Sequence, residues 1–282
     1  ESLLRGTHDS SLEVIVVDNA SVDGSADEVA RRFPSVRVIR NDANLGFAKA
    51  NNIGIRASEG RHICLVNSDV EIHDRCLDEL CRFLDAHPEI GMTGPRVVWP
   101  DGSMQSTCRK FPGLWNNLCS ALGWSRLFPE ISWLSGEHMF YFAHDRERPV
   151  HVLVGCMVMA RREAVAAVGG LDERFFIYAE DVDWCRRFWN AGWKVVFYPG
   201  AQATHRGRSS SSSDSSRFSI EQLKAVLQYW EKYHGPLKCA AFQLILIVQH
   251  ALRICGLAVL SAARPSASGA CSHKRAQHRK AL

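Results

Sequence analysis

The amino-acid sequence predicts an α/β protein with a mostly parallel central sheet, followed by a separate helical segment at the C-terminus. Three observations lead there. Short β-branched runs alternate with amphipathic stretches up to about residue 205, the pattern of strands joined by helical crossovers. Several of those strands end in polar clusters, where an open parallel sheet binds its ligands. Beyond residue 216 the alternation stops and helical periodicity leads into a basic tail.

Taken in order, LEVIVVD (12–18) reads as a strand ending in Asp18-Asn19. The stretch DGSADEVARRF carries acids early and apolar residues at helical spacing before Pro34. VRVIRN (36–41) is the second strand, NLGFAKANNIGIRAS (44–58) a loop and helix, and HICLVNSDV (62–70) the third strand. A helix over 76–87 closes at Pro88, and IGMTGPRVVWPDG adds a strand and a turn. Between 108 and 150 aromatic residues mix with turn formers: Trp115, Trp124, Phe128, Trp133, Phe140, Tyr141 and Phe142. This stretch is either an irregular insertion near a binding face or a set of ordinary core aromatics. VLVGCMVMAR (152–161) returns to a buried strand, a helix follows over about 180–190, and WKVVFYP is the last strand before the Ser/Arg-rich loop 206–216. The predicted domains are 1–216, helices over 217–263, and a basic tail over 264–282.

Composition narrows the function. The 282 residues are 46% hydrophobic and 23% charged, which excludes a disordered or collagen-like chain. A net charge of +4 is too small to make nucleic acid the main partner. The excess comes from Arg264, Lys274, Arg275, Arg279 and Lys280, in a tail without acids. Ten cysteines, without a Cys-x-x-Cys pair, read as reduced thiols of a cytoplasmic protein. The apolar stretch 239–260 is long enough to span a bilayer, but Gln243, Gln249, His250 and Arg253 interrupt it. An in-plane helix held to anionic headgroups by the tail is the expectation, with a buried core helix as the alternative.

Polar residues that end strands are the first candidates for chemistry: Asp18 and Asn19, then Asn67, Ser68 and Asp69, then His205. Asp69, with few acids beside it, suits a magnesium or manganese ion shared with a diphosphate. Alone, the motif reads by default as a strand ending in a turn. Glu180, Asp181 and Asp183 open a helix, where they either complement its dipole or present a general base. His205 is followed by Arg206, Gly207, Arg208 and Ser209, whose backbone donors, guanidinium groups and hydroxyl suit a diphosphate.

The strings EVIVVDNASVDGS (13–25), NLGFAKANNIGI (44–55), LVNSDV (65–70), FLDAHPEIGMTGPRV (83–97), VGGLDERFFIYAEDVDWCRR (168–187) and AGWKVVFYPGAQATH (191–205) in this order resemble the inverting family 2 glycosyltransferases, and among them the bacterial rhamnosyltransferase-like group. The resemblance runs from residue 1 to about 215. It implies a GT-A fold, a Rossmann-like nucleotide-sugar-binding domain, whose N-terminal strand this chain lacks, since ESLLRG resembles the end of the helix that follows that strand. It implies that Asp18 contacts the base and that Asn44, Gly46 and Asn51 shape the nucleotide pocket. Asp69 becomes the metal-binding acid, with Asn67 in place of the family's first acid. Asp181 becomes the general base, Glu180 its neighbour contacting sugar or acceptor, and His205 a metal or diphosphate ligand.

The implied activity is transfer of rhamnose or another hexose from a dTDP- or UDP-sugar, with a divalent metal (Mg or Mn), to a lipid-linked or polysaccharide acceptor. Its place is the inner face of the cell membrane, with peripheral contact. Where the family has Asp-Trp ahead of a small-residue turn, this chain reads His151, Val152, Leu153, Val154, Gly155, Cys156. The rival reading is a truncated, inactive homologue that binds nucleotide or glycan. A nucleotidyltransferase would need a Gly-rich phosphate loop early in the chain, which is not visible.

Overall fold

A computed structural model describes residues 1–5, 9, 11–207 and 215–263. After a short helix, α1 (Ser2–Arg5), the first β-branched run forms β1 (Ile15–Asp18). The next helix, α2 (Ser25–Arg32), has Asp27 and Glu28 in its first turn and Arg31 and Arg32 in its last, complementing the helix dipole at both ends. β2 (Arg37–Arg40) lies parallel to β1, and α3 (Phe47–Ala57) follows. The predicted third strand divides at the Asn67-Ser68-Asp69 turn into β3 (His62–Val66) and β4 (Val70–Ile72). α4 (Cys76–Ala86) buries Leu77, Leu80, Phe83 and Leu84, a helical stripe that packs on the sheet with Ile72, Ile90, Met157, Met159 and Val196.

The chain continues through β5 (Ile90–Val98), β6 (Cys108–Arg109), α5 (Leu114–Ala121), α6 (Trp124–Leu127), β7 (Arg148–Pro149), β8 (Val152–Leu153) and β9 (Met157–Arg161). It then forms α7 (Arg162–Val168), α8 (Glu180–Asn190), β10 (Lys194–His205), α9 (Ser215–Tyr233) and α10 (Pro236–Ala263).

The α/β class and the central sheet are as the sequence predicts, but the mostly parallel pairing is not. The main sheet runs β3-β9-β5-β10-β4, with β7 also on β10. β5 and β10 are parallel, whereas β9 runs antiparallel to both β3 and β5. β3, β5 and β10 therefore share one direction, and β9 is reversed between β3 and β5. β9 is entered through a turn at Gly155 from β8, which pairs with β6 in a separate two-stranded sheet, and not by a helical crossover from a neighbouring strand of the main sheet. β10 also continues past the predicted end at Pro199, because an irregularity between Tyr198 and Gln202 absorbs Pro199 and Gly200.

The chain divides into two compact units. The first holds Glu1–Phe111 and the segment from Ala143 through β10; the second holds Pro112–Phe142 with α9 and α10. The insertion 112–142 thus groups with the C-terminal helices. In the second unit α10 packs against α5, and its buried Phe242 stacks on Trp230 of α9 at 4.3 Å between ring centroids. The nine described cysteines are free thiols, and among them only Cys255 is exposed. Ser209 and the tail lie outside the described residues.

Candidate active site

The three acids that open α8 take three different positions. Asp183 is fully buried and ion-paired at 2.8 Å to Arg187, whose other nitrogens donate to Val168 O and Gly170 O. Its role is to lock α8 onto the preceding loop. Asp181 stays partly exposed, with Oδ2 accepting the Gly155 N–H at 3.0 Å and Oδ1 accepting the Val182 N–H at 2.8 Å. Glu180 is 6% exposed, and its Oε2 has no hydrogen-bond partner. Burial, with the Asp181 charge adding to it, pushes its carboxyl up to about 8. Burial therefore favours the neutral, protonated form of Glu180.

The turn that delivers these acids is strained. Tyr178 and Ala179 both have left-handed backbones, with φ of 71° and 62°. Such a conformation costs a non-glycine residue on the order of 1–2 kcal/mol. It persists because the flanking chain is fixed by the buried Phe175 before it and by Trp184, Cys185 and Phe188 after it.

A short path of bonds joins Asp181 to the other predicted residues. Gly155, which holds Asp181, precedes Cys156, whose carbonyl accepts the Asn67 N–H at 2.9 Å. Asn67 begins the turn Asn67-Ser68-Asp69, closed by Val70 N–H donating to Asn67 O, with Ser68 exposed. Val70 then pairs with His205 across the β4–β10 ladder, and this register sets Asp69 beside the imidazole. His205 Nε2 lies 3.1 Å from Asp69 Oδ1, and both side chains are largely buried. The Gln105 amide meets His205 Nδ1 at 3.0 Å, and Trp99 lies nearly parallel to the ring at 6.4 Å. Nδ1 is thereby engaged, and Nε2 faces the carboxylate.

Asp69 and His205 supply one oxygen and one nitrogen donor. No cluster of three or more His, Cys, Asp or Glu suited to a metal exists among the described residues. Two protein ligands leave the remaining positions to diphosphate oxygens and water, as magnesium commonly binds. The residues fit a divalent ion shared with substrate, not one caged by protein.

The predicted nucleotide residues gather in part. Asn19 Nδ2 donates to Asn44 Oδ1 at 2.9 Å and to Gly46 O, while its Oδ1 accepts from Leu45 N–H and Asn41 Nδ2. Gly46 has φ of 84°, and a Cβ there would fall 2.5 Å from Phe176 O, so this position requires glycine. The Phe47 N–H donates to the same Phe176 carbonyl at 2.6 Å, tying this loop to the strained turn before Asp181. Asp18 caps its own turn through the Ser21 N–H, and Asn51 bonds within α3 to Phe47 O. Neither of these two side chains has a described hydrogen bond to the Asn19 cluster.

Sequence reasoning missed Gly155, Gln105, Trp99, Asn41 and Asn52. Asn52 carried a usable signal, for it sits at an apolar helical position between Ala48 and Ile55. Buried there, it exchanges two hydrogen bonds with Leu171 at 2.8 Å and donates to Glu173. Gln105 had none, because it meets His205 from a loop 100 residues away in sequence.

Comparison with known proteins bears on this geometry. Residues 1–169 match the glycosyl transferase family 2 model, and residues 138–209 match one described as the N-terminal domain of galactosyltransferase. The N-acetylglucosaminyl-diphospho-decaprenol L-rhamnosyltransferase of Mycobacterium tuberculosis is 32% identical over 236 residues, covering 79% of this chain and 76% of that protein. The dTDP-rhamnosyl transferase RfbF of Shigella flexneri is 26% identical over 72% of this chain and 63% of its own length. Among solved structures, the mannosyltransferase PcManGT from Pyrobaculum calidifontis, in complex with GDP-Man and Mn2+, aligns with a TM-score of 0.54 at 17% identity, over 96% of this chain and 75% of that one. GalNAc-T7 with UDP, GalNAc and Mn2+ aligns with a TM-score of 0.55 at 16% identity, over 80% of this chain and 43% of that one.

Proposed function

The chain belongs to glycosyl transferase family 2, in its rhamnosyltransferase-like group, and on that premise we propose that it transfers rhamnose from a dTDP- or UDP-linked donor, with inversion, to a lipid-linked glycan acceptor during cell-envelope synthesis. The rhamnose and lipid-linked parts rest on the names of its relatives. The observation that carries the mechanism is the bond path from Asp181 through Gly155, Cys156 and Asn67 to the Asp69–His205 pair. It links Asp181 to the Asp69–His205 pair at the carboxyl ends of β3 and β10, which supports reading them as a proton acceptor and a diphosphate-binding pair.

In this reading Asp181 takes the proton of the acceptor hydroxyl as that oxygen forms its bond to the anomeric carbon and the bond to the diphosphate breaks. The Gly155 amide holds the carboxylate in place during the transfer. Glu180, protonated at neutral pH, offers its hydroxyl as a donor to sugar or acceptor. Asn19, Asn44 and Gly46 shape the nucleotide end, with Asp18 and Asn51 beside them and Ser209 contributing a hydroxyl to the diphosphate. Asp69 and His205 would hold a magnesium or manganese ion, which neutralises charge on the leaving diphosphate. The enzyme works at the cytoplasmic face of the membrane, in peripheral contact with it.

Incubating the full chain with dTDP-rhamnose or UDP-sugars and a polyprenyl-diphosphate N-acetylglucosamine acceptor tests this. The expected product carries the anomeric configuration opposite to the donor's. If nucleoside diphosphate binds and no donor yields transfer, the binding-only alternative stands instead. The assembled Asp69, His205 and Asp181 favour turnover.

A further inference from the structure

The second unit wears its apolar residues on the outside. Of the sixteen exposed large apolar side chains among the described residues, thirteen belong to it. Five lie on α10: Leu237, Leu244, Ile247, Val248 and Leu252, spaced so that they form one stripe along the helix. On the opposite side Phe242 is buried on Trp230, and the helix packs on α5. The insertion 112–142 adds Trp133 (60% exposed), Leu127 (70%), Phe128, Phe140 and Trp115. Trp115 and Trp133 stack at 5.9 Å, and Trp115 Nε1 donates to Trp133 O, a rigid aromatic pair rather than scattered exposure.

Charge identifies what covers this surface. From Pro236 to Leu282 the sequence contains seven Lys and Arg residues and no Asp or Glu. An apolar stripe, exposed tryptophans and an acid-free basic segment together match the interface of an anionic bilayer, where apolar groups enter the acyl boundary, aromatic rings sit at headgroup level and cations pair with lipid phosphates. Pro236–Gly256 is long and apolar enough to cross a membrane. Against a span, Gln243, Gln249, His250 and Arg253 interrupt that stretch, and Phe242 of α10 is buried on Trp230 of α9.

We propose that the second unit is a two-part platform for an anionic membrane surface, with α10 lying in the plane of the interface on its Leu244–Leu252 stripe and the aromatic insertion around Trp133 and Phe128 inserting as its second anchor. This rests on the membrane-contact reading above and deepens it by adding the aromatic insertion as a second anchor.

The test is binding of the full chain to vesicles of phosphatidylcholine alone or with about a third phosphatidylglycerol, read by sedimentation and by tryptophan emission. Binding is expected only with the anionic lipid, with a blue shift, and is expected to weaken as salt rises to about 1 M, where the screening length falls to about 3 Å. Leu244→Glu with Val248→Glu should reduce vesicle affinity by about tenfold or more. Phe128→Ala with Trp133→Ala should do so separately, each pair leaving nucleoside-diphosphate affinity unchanged. Equal binding by the Phe128/Trp133 variant overturns the second anchor. A dimer in solution that the Leu244/Val248 variant dissolves assigns the stripe to a second copy, and wild-type resistance to alkaline carbonate extraction assigns α10 to a spanning helix. Either result overturns the platform. Transfer to a short soluble acceptor, measured in parallel, separates failure of the platform from failure of the proposed activity.

Discussion

The two units obey opposite rules about where polarity goes. In the first, polar groups are drawn inward and paired: Asp183 on Arg187, Asn52 on Leu171, His205 between Asp69 and Gln105. In the second, a tryptophan pair and a five-residue aliphatic stripe face outward, and α10 has no acid at all. The contrast teaches that catalysis and placement are built from different materials. Buried polar groups hold a carboxylate to within a fraction of an ångström, at the cost of desolvation. Exposed apolar groups gain nothing until something covers them.

If the division holds, changes in the first unit should alter chemistry and leave vesicle binding untouched. The largest expected effect is from Asp181→Asn, which should lower turnover by about 100-fold or more while donor affinity persists, since a general base contributes on the order of 100 to 10,000-fold. Near wild-type turnover would remove Asp181 from its role. Next, Asp69→Ala should weaken nucleoside-diphosphate binding in manganese by at least about tenfold, or about 1.4 kcal/mol. Calorimetry in EDTA should show wild type and variant alike, because the effect acts through the ion.

Asn52→Ala should leave turnover alone and act on stability. It leaves the buried Leu171 N–H unpaired, and a buried unpaired group costs about 1–3 kcal/mol, readable from chemical denaturation. A variant as stable as wild type would show that the α3 contact contributes little. A second stability effect, this one dependent on pH, concerns Glu180. Its folded carboxyl titrates near 8, against an ordinary value of 4.5. The folded state therefore keeps a proton that the unfolded state releases between those values, and stability from this group is lost as pH rises through that window. Glu180→Gln, which mimics the protonated form, should gain stability relative to wild type between pH 5 and about 8. A pH-independent difference would show that Glu180 ionises normally.

Much of this was legible in the sequence, and the remainder has identifiable physical causes. α8 is legible to the residue at Glu180 because its acids and apolar residues agree on one periodicity. The reversed direction of β9 is not, since an apolar run carries no sign of which way its strand points. β10 runs on through Pro199 and Gly200 because sheet pairing on both sides outweighs a local breaker. Asp69, Asp181 and His205 stood out as polar residues at the ends of elements. What joins them, the Gly155 amide and the Cys156 carbonyl, is backbone, and backbone bonding partners are not written in residue identity.

The distribution of the thiols has a practical consequence. Cys64, Cys76, Cys108, Cys156 and Cys185 are enclosed by apolar neighbours, and burial pushes each of them up, Cys108 and Cys156 to about 12. It is the thiolate that attacks a maleimide, so these buried positions are closed to the reagent at neutral pH. Cys255, exposed on α10 three residues beyond Leu252, stands open. With Cys81, Cys239 and Cys271 replaced by serine, a spin label or fluorophore at Cys255 becomes a depth gauge on α10, and no label needs to be engineered into the sheet that carries the chemistry.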